Sequence, residues 1–119
     1  MTASELLQQI HDSEATFQRH VNQWIDDFRR ATPEARHHLI ADPIEQMGPY
    51  EGLVAAIVSA LCRETSTETP TWVAQIGSPE PFFAFPARSY ALRVRLMIES
   101  PAPFRVRNVF VPADYLARA

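Results

Sequence analysis

The chain has 119 residues, enough for one ordinary domain that builds its own apolar core without metals or disulfides. Hydrophobic residues make up 46% and charged residues 21%, which excludes global disorder, and no apolar run approaches the ~20 residues of a membrane span. The net charge of −3 is unevenly spread: residues 1–87 hold twelve acids against five arginines, and residues 88–119 hold six arginines against Glu99 and Asp114. All eleven basic residues are arginine.

The opening Met1-Thr2-Ala3-Ser4-Glu5 lacks the basic patch and apolar run of a secretory signal. One cysteine, Cys62, fits a reducing compartment, so a cytoplasmic location is expected. Thr2-x-x-Glu5 has the form of a capping box and should open the first helix. Leu7, Ile10, Glu14, Phe17, Val21, Trp24 and Phe28 then recur at alternating steps of three and four. This spacing predicts one long helix to about Arg30, a rod of roughly 40 Å at 1.5 Å per residue. Leu6 and Ile25 broaden the stripe, which favours packing onto its own domain over a two-stranded coiled coil. Glu14 interrupts the seam and should sit at its edge or meet an arginine.

Thr32-Pro33 reads as N-cap and first residue of a short helix through Ile40. Asp42-Pro43-Ile44-Glu45 has the form of a second capping box, with Gly48-Pro49 ending that piece. Leu53 to Cys62 is apolar all round and should be the buried central helix, with Cys62 an inert core thiol. A polar loop, 65–71, separates this helical half, 1–64, from an Arg- and Phe-rich half, 72–119, all within a single domain. Pro79, Pro81 and Pro86 around Phe82, Phe83 and Phe85 predict an extended loop anchored by aromatics.

Residues 88–111 support two readings. Tyr90, Leu92, Val94, Leu96 and Ile98 alternate with Ala91, Arg93, Arg95, Met97 and Glu99 in the strand period, and a hairpin through Ser100-Pro101-Ala102-Pro103 satisfies it. Alternatively, Ser89 caps a helix through Glu99, and Ser100-Pro101 opens another that ends near Asn108. Periodicity leans slightly to strands. Pro112 should start a last short helix through Leu116. The fold class expected is mostly α, with a long N-terminal helix and a Pro-rich loop; the alternative is α+β with a C-terminal hairpin.

No catalytic constellation emerges. Glu34-x-x-His37 is half of a carboxylate-bridged di-iron pattern, but no second Glu-x-x-His exists, so Glu34, His37 and His38 read as a solvated polar helix. Arg30 and His37 match the Arg-x₄₋₆-His spacing of helical ribonuclease toxins, yet Thr32-Pro33 breaks the helix between them. His11 and His20 are two and a half turns apart on the first helix, on opposite faces. Three scattered glycines, Gly48, Gly52 and Gly77, cannot form a phosphate-cradling loop. No cofactor and no metal are expected, and the chain reads as a non-enzyme.

The feature that points to function is Arg88, Arg93, Arg95, Arg105 and Arg107, interleaved with Tyr90, Phe104 and Phe110. Arginine forks bind carboxylate or phosphate, and aromatics between them can stack on bases. Such a set suits a nucleic-acid surface, an acidic protein partner, or pairing with the acidic half of the same domain.

These residues carry a resemblance. The stretch 72–119 resembles the C-terminal part of small bacterial proteins encoded beside a nucleotidyltransferase-fold protein, in what look like toxin–antitoxin pairs. Trp72-Val73, Pro81-Phe82-Phe83, Leu92 and Leu96 carry it, together with Glu99-Ser100-Pro101-Ala102-Pro103-Phe104-Arg105-Val106-Arg107-Asn108-Val109-Phe110-Val111. That last run is similar to a Glu-Ser-Pro…Phe-Arg-x-Arg-Asn-Ile-Phe-Val signature; Val106 stands where relatives tend to carry another arginine. The resemblance implies helices in the tail and an antitoxin-like, protein-binding role that neutralises a nucleotidyltransferase-like partner. Expected partner-binding residues are Phe82, Phe83, Arg93, Arg95, Phe104, Arg105, Arg107, Asn108 and Phe110. The alternatives are a nucleic-acid-binding regulator using the same arginines, and a small metal-dependent enzyme using Glu34, His37 and His38.

Overall fold

A computed structural model describes residues 1–84, 87 and 89–117; Phe85, Pro86, Arg88, Arg118 and Ala119 lie outside the described residues. The described chain is mostly helical: α1 (Ala3–Asp12), α2 (Phe17–Arg30), α3 (Pro33–Ile40), α4 (Pro49–Thr65), α5 (Tyr90–Glu99) and α6 (Ala102–Arg105). Two short strands, β1 (Phe82–Phe83) and β2 (Val109–Phe110), pair in parallel. Among the described residues no helix is long and apolar enough to cross a membrane.

The capping box forms as expected, with Glu5 N–H donating to Thr2 Oγ1 at 3.1 Å and Thr2 N–H donating to Glu5 Oε1 at 2.9 Å. The long rod does not form. The backbone leaves the helix at Ser13 (φ −147°, ψ 62°), makes one 3₁₀ turn over Glu14–Thr16, and restarts as α2. The physical reason lies in Glu14, which a continuous helix would place on the apolar seam between Ile10 and Phe17. The break puts its carboxylate in solvent, 3.7 Å from His11 Nδ1. The two helices then fold back on one another, and Trp24 Nε1 donates to Met1 O at 3.0 Å. Leu6, Ile10, Val21, Trp24, Ile25 and Phe28 are thereby all buried within the domain.

Thr32 caps α3 through Ala35 N–H at 3.2 Å, with Pro33 in its first turn. The second expected capping box makes no helix. Too few residues separate Pro43 from Gly48 to repay nucleation, and the irregular chain there carries Ile44 into the core instead. Gly48-Pro49 also acts in the opposite sense from that expected: Gly48 is the N-cap and Pro49 opens α4.

Helix α4 is the central element. From Glu51 to Val58 every residue is buried, and Leu61 and Cys62 follow. Gly52 meets the 77–78 backbone so closely that a Cβ would lie 2.8 Å from Ser78 N, so only glycine fits. Trp72 is buried across the end of α3, its Nε1 donating to Ile40 O at 3.0 Å.

The tail is helical, and the strand reading of 88–111 is overturned. Ser89 Oγ accepts from Leu92 N–H at 3.1 Å and caps α5; α6 follows across Pro101 and ends in a turn at Asn108, whose φ is 63°. What pairs is not a hairpin but β1 with β2, joined through Phe82 N–H to Asn108 O (3.0 Å) and Ala84 N–H to Phe110 O (3.1 Å). A parallel pair needs a long crossover, and α5 with α6 is that crossover. The helix expected from Pro112 is replaced by turns. Tyr115 there donates its hydroxyl to Gln18 Oε1 at 2.7 Å, and Leu116 O accepts from Arg29 at 2.8 Å.

Two outcomes test this arrangement. Ser100 Oγ lies 2.6 Å from Leu96 O and 2.9 Å from Val111 O, and accepts from Val111 N–H at 2.8 Å, all buried. Ser100→Ala orphans that N–H and should cost about 1–3 kcal/mol in chemical denaturation. Burial pushes the Tyr115 hydroxyl up to about 12 from an ordinary 10.0, against a smaller opposing effect of its bond to Gln18. The unfolded chain therefore ionises first, so the stability tied to Tyr115 is whole below pH 10.0 and is lost as pH rises through about 12. Tyr115→Phe should show a shallower fall of stability across that alkaline window; equal slopes would refute the assignment.

Candidate functional site

The tail meets the body through its backbone carbonyls. Arg107 is half-buried and donates to Val73 O from Nε (3.3 Å) and Nη2 (3.0 Å), and to Pro103 O from Nη1 (2.7 Å). Burial pushes its guanidinium down from the ordinary arginine value. Asn108 holds a left-handed turn that few residues other than glycine tolerate, and its Nδ2 donates to Ser78 O at 3.3 Å. Phe104 is fully buried, its ring edge-on to Tyr115 at 5.6 Å; Phe110 is buried against Phe83 at 5.2 Å. Phe82 is half-buried against Tyr50 at 5.2 Å.

Five of the expected partner-binding residues are thus structural in what they touch. Phe104 lies in the core, and the ring of Phe110 is buried against Phe83. Arg107 and Asn108 spend their polar groups on the domain's own carbonyls, and Phe82 packs under Tyr50. Four remain at the surface. Arg93, Arg95 and Arg105 are exposed, and Phe83 is half-buried beneath Arg93, whose Cζ stands 5.7 Å from the ring centre. Arg88 and Phe85 lie outside the described residues.

The surface arginines are tied locally. Arg93 Nε donates to Ala87 O at 2.9 Å, Arg95 pairs with Glu99 at 3.0 Å, and Arg105 Nη1 donates to Ile98 O at 3.2 Å. Among the described residues none of these arginines pairs with an acid of residues 1–87, so the acidic half of the domain does not neutralise them.

Between these arginines lies a feature that the sequence reading missed. The helix divides the alternating apolar residues between two faces. Leu92 and Leu96 turn inward, Leu96 being the buried side chain of α5. Tyr90, Val94, Met97 and Ile98, spaced as i, i+4, i+7 and i+8, lie on the opposite face. Tyr90 is 84% exposed, Ile98 68% and Met97 43%. Arg93 borders this stripe on the Tyr90–Met97 side and Arg95 on the Ile98 side. The signal was present at helical spacing; in the strand period all five alternating residues share one face and no second stripe appears. Behind α5, a groove of about 330 Å³ runs between Leu92, Leu96 and the Pro112–Asp114 turn.

The other candidates stay apart. Among the described residues no group of three or more His, Cys, Asp or Glu side chains is placed to hold a metal ion, and Glu34, His37 and His38 acquire no further ligand. Arg30 pairs with Asp27 at 2.9 Å, on a different helix from His37. His11 reaches across the sequence to Glu51 Oε2 at 3.0 Å, a pair that local spacing cannot reveal. The Cys62 thiol is buried, which pushes it above the usual thiol range and leaves it a poor nucleophile.

Comparison with known proteins adds no assignment: no protein-family model, no curated protein and no solved structure matches the chain.

The division between structural and surface arginines is testable by paired substitutions. Arg107→Ala leaves two buried-side carbonyls without their charged donor and should cost about 1.5–3 kcal/mol. Arg93→Ala should cost less than about 1 kcal/mol, the scale of an exposed cation–π contact. Equal losses in thermal or urea unfolding would contradict the placement.

Proposed function

We propose that the chain is an antitoxin-like protein-binding module, not an enzyme, that binds and neutralises a nucleotidyltransferase-like partner through the outer surface of α5. The observation that carries this reading is an apolar stripe on α5, exposed at Tyr90, Met97 and Ile98, half-buried at Val94 and bordered by exposed arginines. Aromatic and arginine side chains dominate binding hot spots, and Tyr90, Met97 and Ile98 stand exposed beside the arginines as a partner's contact surface would require. Arg93, Arg95 and Arg105 would face acidic groups of that partner, for which the metal-binding carboxylates of a nucleotidyltransferase are suitable. The resemblance of residues 72–119 names the partner class. Its most specific run, Glu99 to Val111, mainly anchors the chain after α5 to the body through Phe104, Arg107 and Asn108, with Ser100 joining Val111 to the end of α5.

The test is co-expression with the nucleotidyltransferase-fold protein encoded by the adjacent gene, read as co-purification and as rescue of host growth. Charge reversal at Arg93, Arg95 and Arg105 together should weaken capture about tenfold or more, and single reversals should flatten its dependence on salt. Undiminished capture by the triple variant would sink the reading. A gel shift at low salt, abolished by the same substitutions, would replace it with nucleic-acid binding.

A further inference from the structure

We infer that the outer face of α5 seats one amphipathic helix of an acidic partner, a helix whose own apolar stripe is flanked on both edges by carboxylates. The inference deepens the binding reading above and rests on it, but not on the identity of the enzyme. Tyr90, Val94, Met97 and Ile98 follow the spacing by which one helix reads another, and together they cover a little over two turns, about 12 Å. The borders carry the choice of occupant. Arg93 on one edge is exposed, held by its Nε bond to Ala87 O and its contact with the Phe83 ring, and among the described residues Arg95 on the other pairs with exposed Glu99.

A second copy of this chain fits poorly. An isologous contact centred on Val94 brings Arg93 and Arg95 of both copies together with no acid but Glu99 on the helix to offset them. Four side chains also fall well short of the roughly 800 Å² per partner of a stable interface, and a second copy offers only the same patch. A different protein can extend past it. A nucleic acid would use the arginines and a base could stack on Tyr90, but Met97 and Ile98 would be left uncovered. A helix with acidic edges satisfies both features at once.

The test uses the full chain and two designed peptides of roughly 18 residues with the same leucine stripe, one bordered by glutamate and one by lysine. Binding is followed by fluorescence anisotropy. The glutamate peptide should bind at least about tenfold more tightly than the lysine peptide, and raising salt to about 0.5 M should narrow the gap. Ile98→Asp should lower affinity for the glutamate peptide by about tenfold or more with the circular dichroism spectrum unchanged. Arg93→Gln with Arg95→Gln should erase the preference between peptides while leaving the fold intact. Equal binding of the two peptides, no binding of either, or indifference to Ile98→Asp overturns the inference. So does a native mass showing a dimer that Ile98→Asp dissolves, which would assign the face to a second copy. If the peptides fail while the enzyme is still captured in an arginine-dependent way, the helix-seating inference falls and the binding function stands.

Discussion

A helix that is apolar on every side must be covered on every side, and α4 sets that requirement for the whole domain. Its neighbours are recruited from both ends of the chain: α1 and α2 on one side, the Trp72 turn, α6 and β2 on the other. That is why one buried cluster runs from Ala3 to Val111. At Gly52 the 77–78 backbone packs against the helix with no room for a side chain. The break after Asp12 follows from the same demand. A straight rod could lay only one length along α4, whereas two short helices folded back cover more of its surface and leave Glu14 in water.

Closing the far side takes polar locks, because the tail arrives as irregular chain with carbonyls to satisfy. Arg107 answers Val73 O and Pro103 O, Asn108 answers Ser78 O, and Ser100 Oγ accepts from Val111 N–H with its own proton shared between Leu96 O and Val111 O. Among the described residues no buried side-chain nitrogen or oxygen is left unpartnered. These locks hold β2 beside β1, and the crossover that parallel pairing requires lifts α5 to the outside. The exposed stripe is therefore a consequence of topology: α5 is long enough to span the crossover, but of its apolar residues only Leu96 is fully buried.

The legible part of the fold was the part governed by local rules. The Thr2–Glu5 box, the Thr32-Pro33 start and the apolar run of α4 are each decided within a few residues by capping, fixed proline φ and periodicity. The candidate site was legible by composition and not by role. Nothing in the run from Phe104 to Phe110 distinguishes an arginine that fills a partner's pocket from one that caps two carbonyls of its own domain. Arg107 and Arg105 are two residues apart and do opposite things, because one points under Val73 and the other out beside Ile98.

By itself, then, the amino-acid order determined a mostly helical domain, its central buried helix, the caps that open α1 and α3, and a basic C-terminal end on an acidic body. Only tertiary structure decided which side of α5 faces water, where the first helix breaks, and which arginines are spent inside. The physical reason is the same in each case. Alternation from Tyr90 to Ile98 satisfies two periods at once, and the choice between them is made by long-range partners, Val111 for Ser100 and Phe82 for the Asn108 turn, that no local window contains.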